Sequence, residues 1–168
     1  MDGPVVVTEA SIGTPPVPAH VLAAMREALV EARAAARADE VPVGAVVVHS
    51  ITGALLARAQ NRMRRDGDAT SHAELLALRE AAQVLGGRGL GDCTLVVTLE
   101  PCAMCAGAIV LSRVGSLVFG AWDDKAGMCG SVGDLVRHAR LNHRPAVRGG
   151  VAAAECGALL RAFFDVRR

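Results

Sequence analysis

This chain of 168 residues has almost no aromatic side chains: three Phe, one Trp and no Tyr. A core built from it has to be aliphatic, and any surface that stacks on nucleobases rests on very few rings. Long apolar runs are missing as well. No stretch approaches the ~20 continuous apolar residues of a membrane span, so no spanning helix is expected. The opening Met-Asp-Gly-Pro lacks a basic segment leading into an apolar run, which argues against a secretory signal. Neither sign of charge dominates, with 18 Lys and Arg against 17 Asp and Glu, so bulk electrostatics does not announce a nucleic-acid partner. Cysteines are few and odd in number, five in all, and two of them form Cys-x-x-Cys. In a chain without an export signal, metal binding is the better reading than disulfides, and the expected compartment is the cytoplasm.

What is present is Ala, Val and Leu, in a length that fits one domain with a real core. Residues 1–18 hold Pro4, Gly13, Pro15, Pro16 and Pro18 without a sustained period and are expected to be an extension outside the core fold. From Ala19 to Ala38, Val21, Leu22, Met25, Leu29 and Ala32 recur at helical spacing. Val41–His49 reads as a buried strand, Ser50–Gly53 as a turn and Ala54–Ala59 as the antiparallel return. An arginine-rich loop covers Asn61–Thr70. A helix over Ser71–Leu85 stops at Gly86 and Gly87. Thr94–Leu99 is a second buried strand, Ala103–Leu111 a helix, Val114–Phe119 a strand and Gly120–Gly133 a loop. Ala146–Val151 is a weak last strand and Ala152–Val166 an amphipathic helix. Strands alternating with helices point to a layered α/β domain over residues 19–168. Charge is uneven toward the end. Seven arginines from Arg137 onward, Arg167 and Arg168 among them, face only Glu155 and Asp165, which suits either a phosphate-rich partner or a solvated surface.

Two short segments carry chemistry. His72-Ala73-Glu74 opens a predicted helix, and Pro101-Cys102-Ala103-Met104-Cys105 stands where a strand gives way to another. Two cysteines three apart in a first helical turn point their sulfurs into one space, and the helix N-terminus favours thiolate. One His and two Cys make three ligands, and zinc prefers four. Three plus an open position is the catalytic arrangement. Glu74, two residues after His72, is placed to act as a general acid and base. His-x-Glu followed by Pro-Cys-x-x-Cys is the signature of zinc deaminases that act on nucleobases. One zinc per chain is expected, on His72, Cys102 and Cys105.

With those residues in hand, the chain resembles the bacterial tRNA-specific adenosine deaminases, of the cytidine and deoxycytidylate deaminase superfamily. The likeness runs from about Met25 to the end. It is carried by Glu40-Val41-Pro42-Val43-Gly44-Ala45-Val46, Asn61-Arg62, Thr98–Ala108, Phe119-Gly120-Ala121, Asn142-His143-Arg144 and Phe163-Phe164 with Arg167-Arg168. The resemblance implies a three-layer α/β/α fold with a five-stranded mixed sheet, and a homodimer with its sites near the interface. It implies hydrolysis of adenosine to inosine at the wobble position of a tRNA anticodon. Asn61 would hold the flipped nucleoside, Val41 would pack near the base and Asp123 would lie by the neighbouring ribose. Ala73, Asn142, His143, Phe164, Arg167 and Arg168 would complete the substrate contacts. Trp122 departs from the family, which commonly has Arg there, and Ala69 and Ser71 also differ. Cys129 reads as a spare thiol, Cys93 and Cys156 as core residues, and His138 and His143 as RNA contacts or packing groups. Two rival readings remain: a deaminase of a free base or nucleoside such as guanine or cytosine, and a non-catalytic zinc-stabilised RNA-binding module.

Overall fold

The structure is a computed structural model, and it describes residues 15–167. The expected extension therefore lies largely outside the described residues, as does Arg168. Helix α1 (Ala19–Arg37) starts just after Pro18, whose carbonyl accepts from the Val21 and Leu22 amides. There follow β1 (Gly44–His49), β2 (Leu55–Gln60), a short α2 (Met63–Asp66), α3 (Ala73–Val84) and β3 (Cys93–Leu99). The chain then forms α4 (Ala103–Leu111), β4 (Ser116–Ala121), β5 (Ala146–Arg148) and α5 (Ala153–Asp165). Among the described residues, no helix is long and apolar enough to cross a membrane.

The five strands form one mixed sheet in the order β2-β1-β3-β4-β5. β1 pairs antiparallel with β2 and β3, while β3–β4 and β4–β5 are parallel. Side chains alternate between the two faces of a strand. Here both faces are covered, so the central strands are apolar at most positions, with Thr94 and Thr98 of β3 the buried exceptions. Val46, Val48, Val96 and Val118 pack with the buried faces of α1 and α5. Ala45, Val47, Leu95, Val97, Leu117 and Phe119 face the opposite way, into the layer of α3 and α4. The core is aliphatic apart from Phe119 and the edge of Phe163. Gly44 lets α1 lie directly on β1, because a Cβ there would strike the Ala28 carbonyl and lie 2.5 Å from the Ala32 amide nitrogen.

The structure differs from the sequence expectation at two places. The loop over 61–70 contains α2, a single turn that ends at Gly67 in the left-handed region (φ 61°). The last strand is three residues long instead of six. Its course is cut by Gly149 and Gly150, where the backbone passes so close to the rings of Phe119 and Trp122 that Gly149 has no room for a Cβ.

Candidate active site

The antiparallel β1–β2 turn brings the start of β1 and the end of β2 to one edge of the sheet, beside the C-terminal ends of β3 and β4. The Asn61 amide donates to the Val43 carbonyl there, at 3.0 Å. Helices α3 and α4 both begin at this edge, with His72 at the N-cap of α3 and Cys102 at the N-cap of α4. Their first turns therefore converge. His72 Nδ1 lies 3.5 Å from Cys105 Sγ and 3.7 Å from Cys102 Sγ. The three donor atoms all lie within 4.8 Å of one another.

These distances fit zinc. Bonds of about 2.3 Å to sulfur and about 2.0 Å to nitrogen give tetrahedral N···S edges of about 3.5 Å. The donor set, one imidazole and two thiols, is one that zinc prefers. The site already favours one of the two thiolates such an ion needs. Cys102 is drawn down to about 3, first by a hydrogen bond from the Cys105 thiol and then by His72. Cys105 is pushed up as the proton donor of that pair, and by its burial. The hydrogen bond to Cys102 also raises the His72 imidazole. The thiols thus share one proton over the N-terminus of α4, whose dipole favours a thiolate.

Glu74 sits in the first turn of α3, only 4 % exposed. Burial raises its carboxyl to about 7, against the pull of its own backbone amide and of His72. A pocket of about 180 Å³ opens over it, lined by Val41, Val43, Asn61, Met63, His72, Glu74, Leu99, Glu100, Cys102, Asp123 and Ala126. Five residues expected at the site from sequence, Asn61, Val41, Asp123, His72 and Glu74, thus share one cavity with the Cys102 thiol.

The other expected contacts stand elsewhere. Ala73 is fully buried in the core beneath the pocket. Asn142 is exposed, while the His143 Nε2 donates to the Val114 carbonyl at 2.7 Å. Phe163 is buried and Phe164 is half-exposed, so the outward ring of the pair is Phe164. Arg167 folds over the Phe163 ring, 3.6 Å from its centroid, and pairs with Asp39. Cys129 is buried away from the three donors, its thiol directed at the Pro101 carbonyl at 3.9 Å. Burial and the nearby Glu100 push that thiol up to about 12. Cys93 and Cys156 are buried, as expected of core thiols.

Sequence reasoning missed two carboxylates. Glu100, 2 % exposed, accepts from the backbone amides of Asp123, Cys129 and Ser131, each at 3.0 Å, and from the Ser131 hydroxyl. Burial alone would raise its carboxyl, but these donors outweigh it and hold it below the usual range. Glu40, equally buried, accepts from Asn61 Nδ2 and from the Arg65 amide. The signal in the sequence was an acid at the edge of an apolar strand, Glu40 before Val41 and Glu100 after Leu99.

Comparison with known proteins agrees with this geometry. Residues 19–121 match the cytidine and deoxycytidylate deaminase zinc-binding region. The tRNA-specific adenosine deaminase of Bacillus subtilis is 49% identical over 140 residues, covering 83% of this chain and 86% of that protein. The tRNA(Ile)-lysidine synthase of Deinococcus radiodurans is 54% identical over 159 residues, 94% of this chain, but the chain spans only 27% of that protein. A solved structure from work on A-to-I editing by tRNA:A34 deaminases superposes with a TM-score of 0.78 at 43% identity, over 82% of this chain and 99% of that one. The chain belongs to the cytidine and deoxycytidylate deaminases and, within them, to the tRNA-specific adenosine deaminases.

Proposed function

We propose that the chain converts adenosine to inosine at the wobble position of a tRNA anticodon loop, by zinc-dependent hydrolytic deamination. One observation carries the chemistry: a buried carboxyl, Glu74, shares a small pocket with a three-donor metal set. A purely structural zinc takes four protein ligands and has no use for such a carboxyl, which disfavours the RNA-binding module without catalysis.

Zinc held by His72, Cys102 and Cys105 supplies the Lewis acidity that makes water a competent nucleophile near neutral pH. Glu74 moves the protons. It takes one from the water that attacks C6 and passes it to the ring nitrogen, then takes the second from the resulting C6 hydroxyl and delivers it to the departing amine, so water and adenosine become ammonia and inosine. The burial that favours its protonated form and the pull of a nearby cation oppose each other at this carboxyl, which suits a group that both takes and gives a proton. Asn61 holds the base by its amide, and Val41, Val43 and Leu99 supply apolar walls. Asp123 stands at the rim toward the neighbouring ribose.

A small pocket with a half-buried metal set and a buried carboxyl at its floor requires that the target base leave its stack. An anticodon loop offers such a base, already single-stranded and readable along its edges. Outside the pocket, Asn142, His143, Phe164, Arg167 and Arg168 are the candidate RNA contacts. Exposed Val84 and Leu111, at the ends of α3 and α4, support a homodimer through that layer. A cytoplasmic location follows from the substrate.

The deciding experiment offers an anticodon stem-loop with adenosine at the wobble position, and separately free adenosine, adenine, guanine and cytosine. Conversion to inosine in the stem-loop, with little reaction of the free compounds, is expected. Rapid deamination of free guanine with an untouched stem-loop would overturn the tRNA reading and leave the zinc chemistry standing.

A further inference from the structure

Of the chain's four aromatic rings, two are exposed: Trp122 at 50 % and Phe164 at 46 %. Both border the cleft between α5 and the loop that follows β4. Trp122 lines one hollow there and Phe164 another, and Leu160 and Arg161 line both. The loop is also a wall of the active site. Asp123 and Ala126 face the catalytic pocket, while Lys125 and Trp122 face the cleft. Consecutive Cα atoms lie only about 3.8 Å apart, so the indole is a near neighbour of the pocket rim.

The indole is a seated ring. Its edge meets Phe119 at 4.7 Å between centroids and 89° between planes. Glycines make the room: a Cβ on Gly149 would lie 2.7 Å from Trp122 Cζ2, and one on Gly130 3.1 Å from Cζ3. A large ring is thus held in one place with half of its surface in water. Arg161, which shares its hollow, and Lys125, in the adjoining one, make no ion pair among the described residues. Fixed exposed rings flanked by unpaired cations suit single-stranded nucleic acid, whose bases stack on the ring while phosphates meet the cations.

We infer that Trp122 is a stacking platform for the nucleobase adjacent to the one in the catalytic pocket, with Arg161 and Lys125 on the connecting phosphates. This rests on the tRNA reading above. It adds a site for a second nucleotide, so that one base is held in the pocket and its neighbour on the indole.

The chain has one tryptophan, so its intrinsic fluorescence reports on this ring alone. The zinc-loaded protein is titrated with an anticodon stem-loop and with two versions that carry an abasic site on the 5′ or the 3′ side of the wobble nucleotide. The intact stem-loop should quench the indole. One abasic version should lose most of the quench and bind about 5- to 150-fold more weakly, the range that base–aromatic stacking supports. Trp122→Ala should no longer distinguish that version from the intact RNA, and Trp122→Phe should restore part of the difference. The loss should appear in KM and leave kcat at saturating RNA little changed. A stem-loop that is bound and deaminated without a change in indole fluorescence would overturn the platform and leave the tRNA reading standing. A stem-loop left unconverted while a free base reacts would remove both. The abasic comparison uses the unaltered protein, so it decides the matter even if Trp122→Ala fails to fold.

Discussion

The Glu40 carboxylate accepts a hydrogen bond from Asn61 Nδ2 at 3.2 Å, between two side chains that are each at least 96 % buried. Its second oxygen accepts from the Arg65 amide at 2.8 Å. Asn61 therefore enters the pocket with its amide orientation chosen: one N–H is engaged, and the carbonyl oxygen is left for a ligand. Glu40 touches no substrate in this arrangement and acts by positioning Asn61.

Glu40→Ala strands both donors in a buried setting, at a cost of about 1–3 kcal/mol in stability. Turnover should fall through KM more than kcat, because the chemistry at Glu74 is untouched while the base is held less well. Glu40→Gln can accept from only one donor and should be intermediate in both melting temperature and KM. Unchanged KM for the stem-loop in both variants would remove the positioning role.

The metal set and the proton carrier are separable. Purified protein should carry roughly one zinc per chain. Metal analysis of Cys102→Ala and Cys105→Ala should find most of it lost. Glu74→Gln keeps the shape of the side chain and should keep the zinc, while turnover drops by at least ~10². Loss of zinc in Glu74→Gln would make Glu74 a ligand. Near wild-type turnover would end its role in proton transfer.

The sites that were legible in the sequence are those whose partners lie close along the chain. Cys102 and Cys105 share one helical turn, and His72 and Glu74 sit at the start of another, so spacing alone aligned them. The strands were legible because both faces are buried, which leaves runs such as Val46-Val47-Val48. Glu40 and Glu100 were not, because their partners are 21 to 31 positions away and are mostly backbone amides, which no residue type advertises. Likewise, Arg167 looked like one more free cation of a basic tail. Its engagement with Asp39 joins residues 128 positions apart.

The same logic makes Glu100 a test of the loop that walls the pocket. It gathers three amides of residues 123–131 onto one carboxylate, and Gly127 is packed so tightly on it that a Cβ would strike the carboxyl. Glu100→Ala leaves those amides unsatisfied and should loosen the whole segment, Asp123 and Trp122 included. Faster amide hydrogen exchange at 123–131, with zinc retained, is the expected signature. Unaltered protection there would mean that the loop holds its shape without the carboxylate.

Asp39 pairs with both Arg64 and Arg167, all three at the surface. The Arg167 hydrogen bond, working against slight desolvation and together with Arg64, holds the Asp39 carboxyl below its ordinary range. Such exposed pairs contribute little to stability, so Asp39→Asn should leave the melting temperature nearly unchanged. Its effect should appear in RNA binding. Removing the acid frees two arginines for phosphate, and each new phosphate contact steepens the salt dependence by about 0.7 in the slope of log K against log salt. The stem-loop should therefore bind more tightly to Asp39→Asn at low salt, with a slope steeper by about 0.7 to 1.4. Arg167→Gln in the Asp39→Asn background should give back one such increment. A slope that stays the same in both variants would take Arg167 out of the RNA contact surface and leave it as a clamp between the end of α5 and the loop after α1.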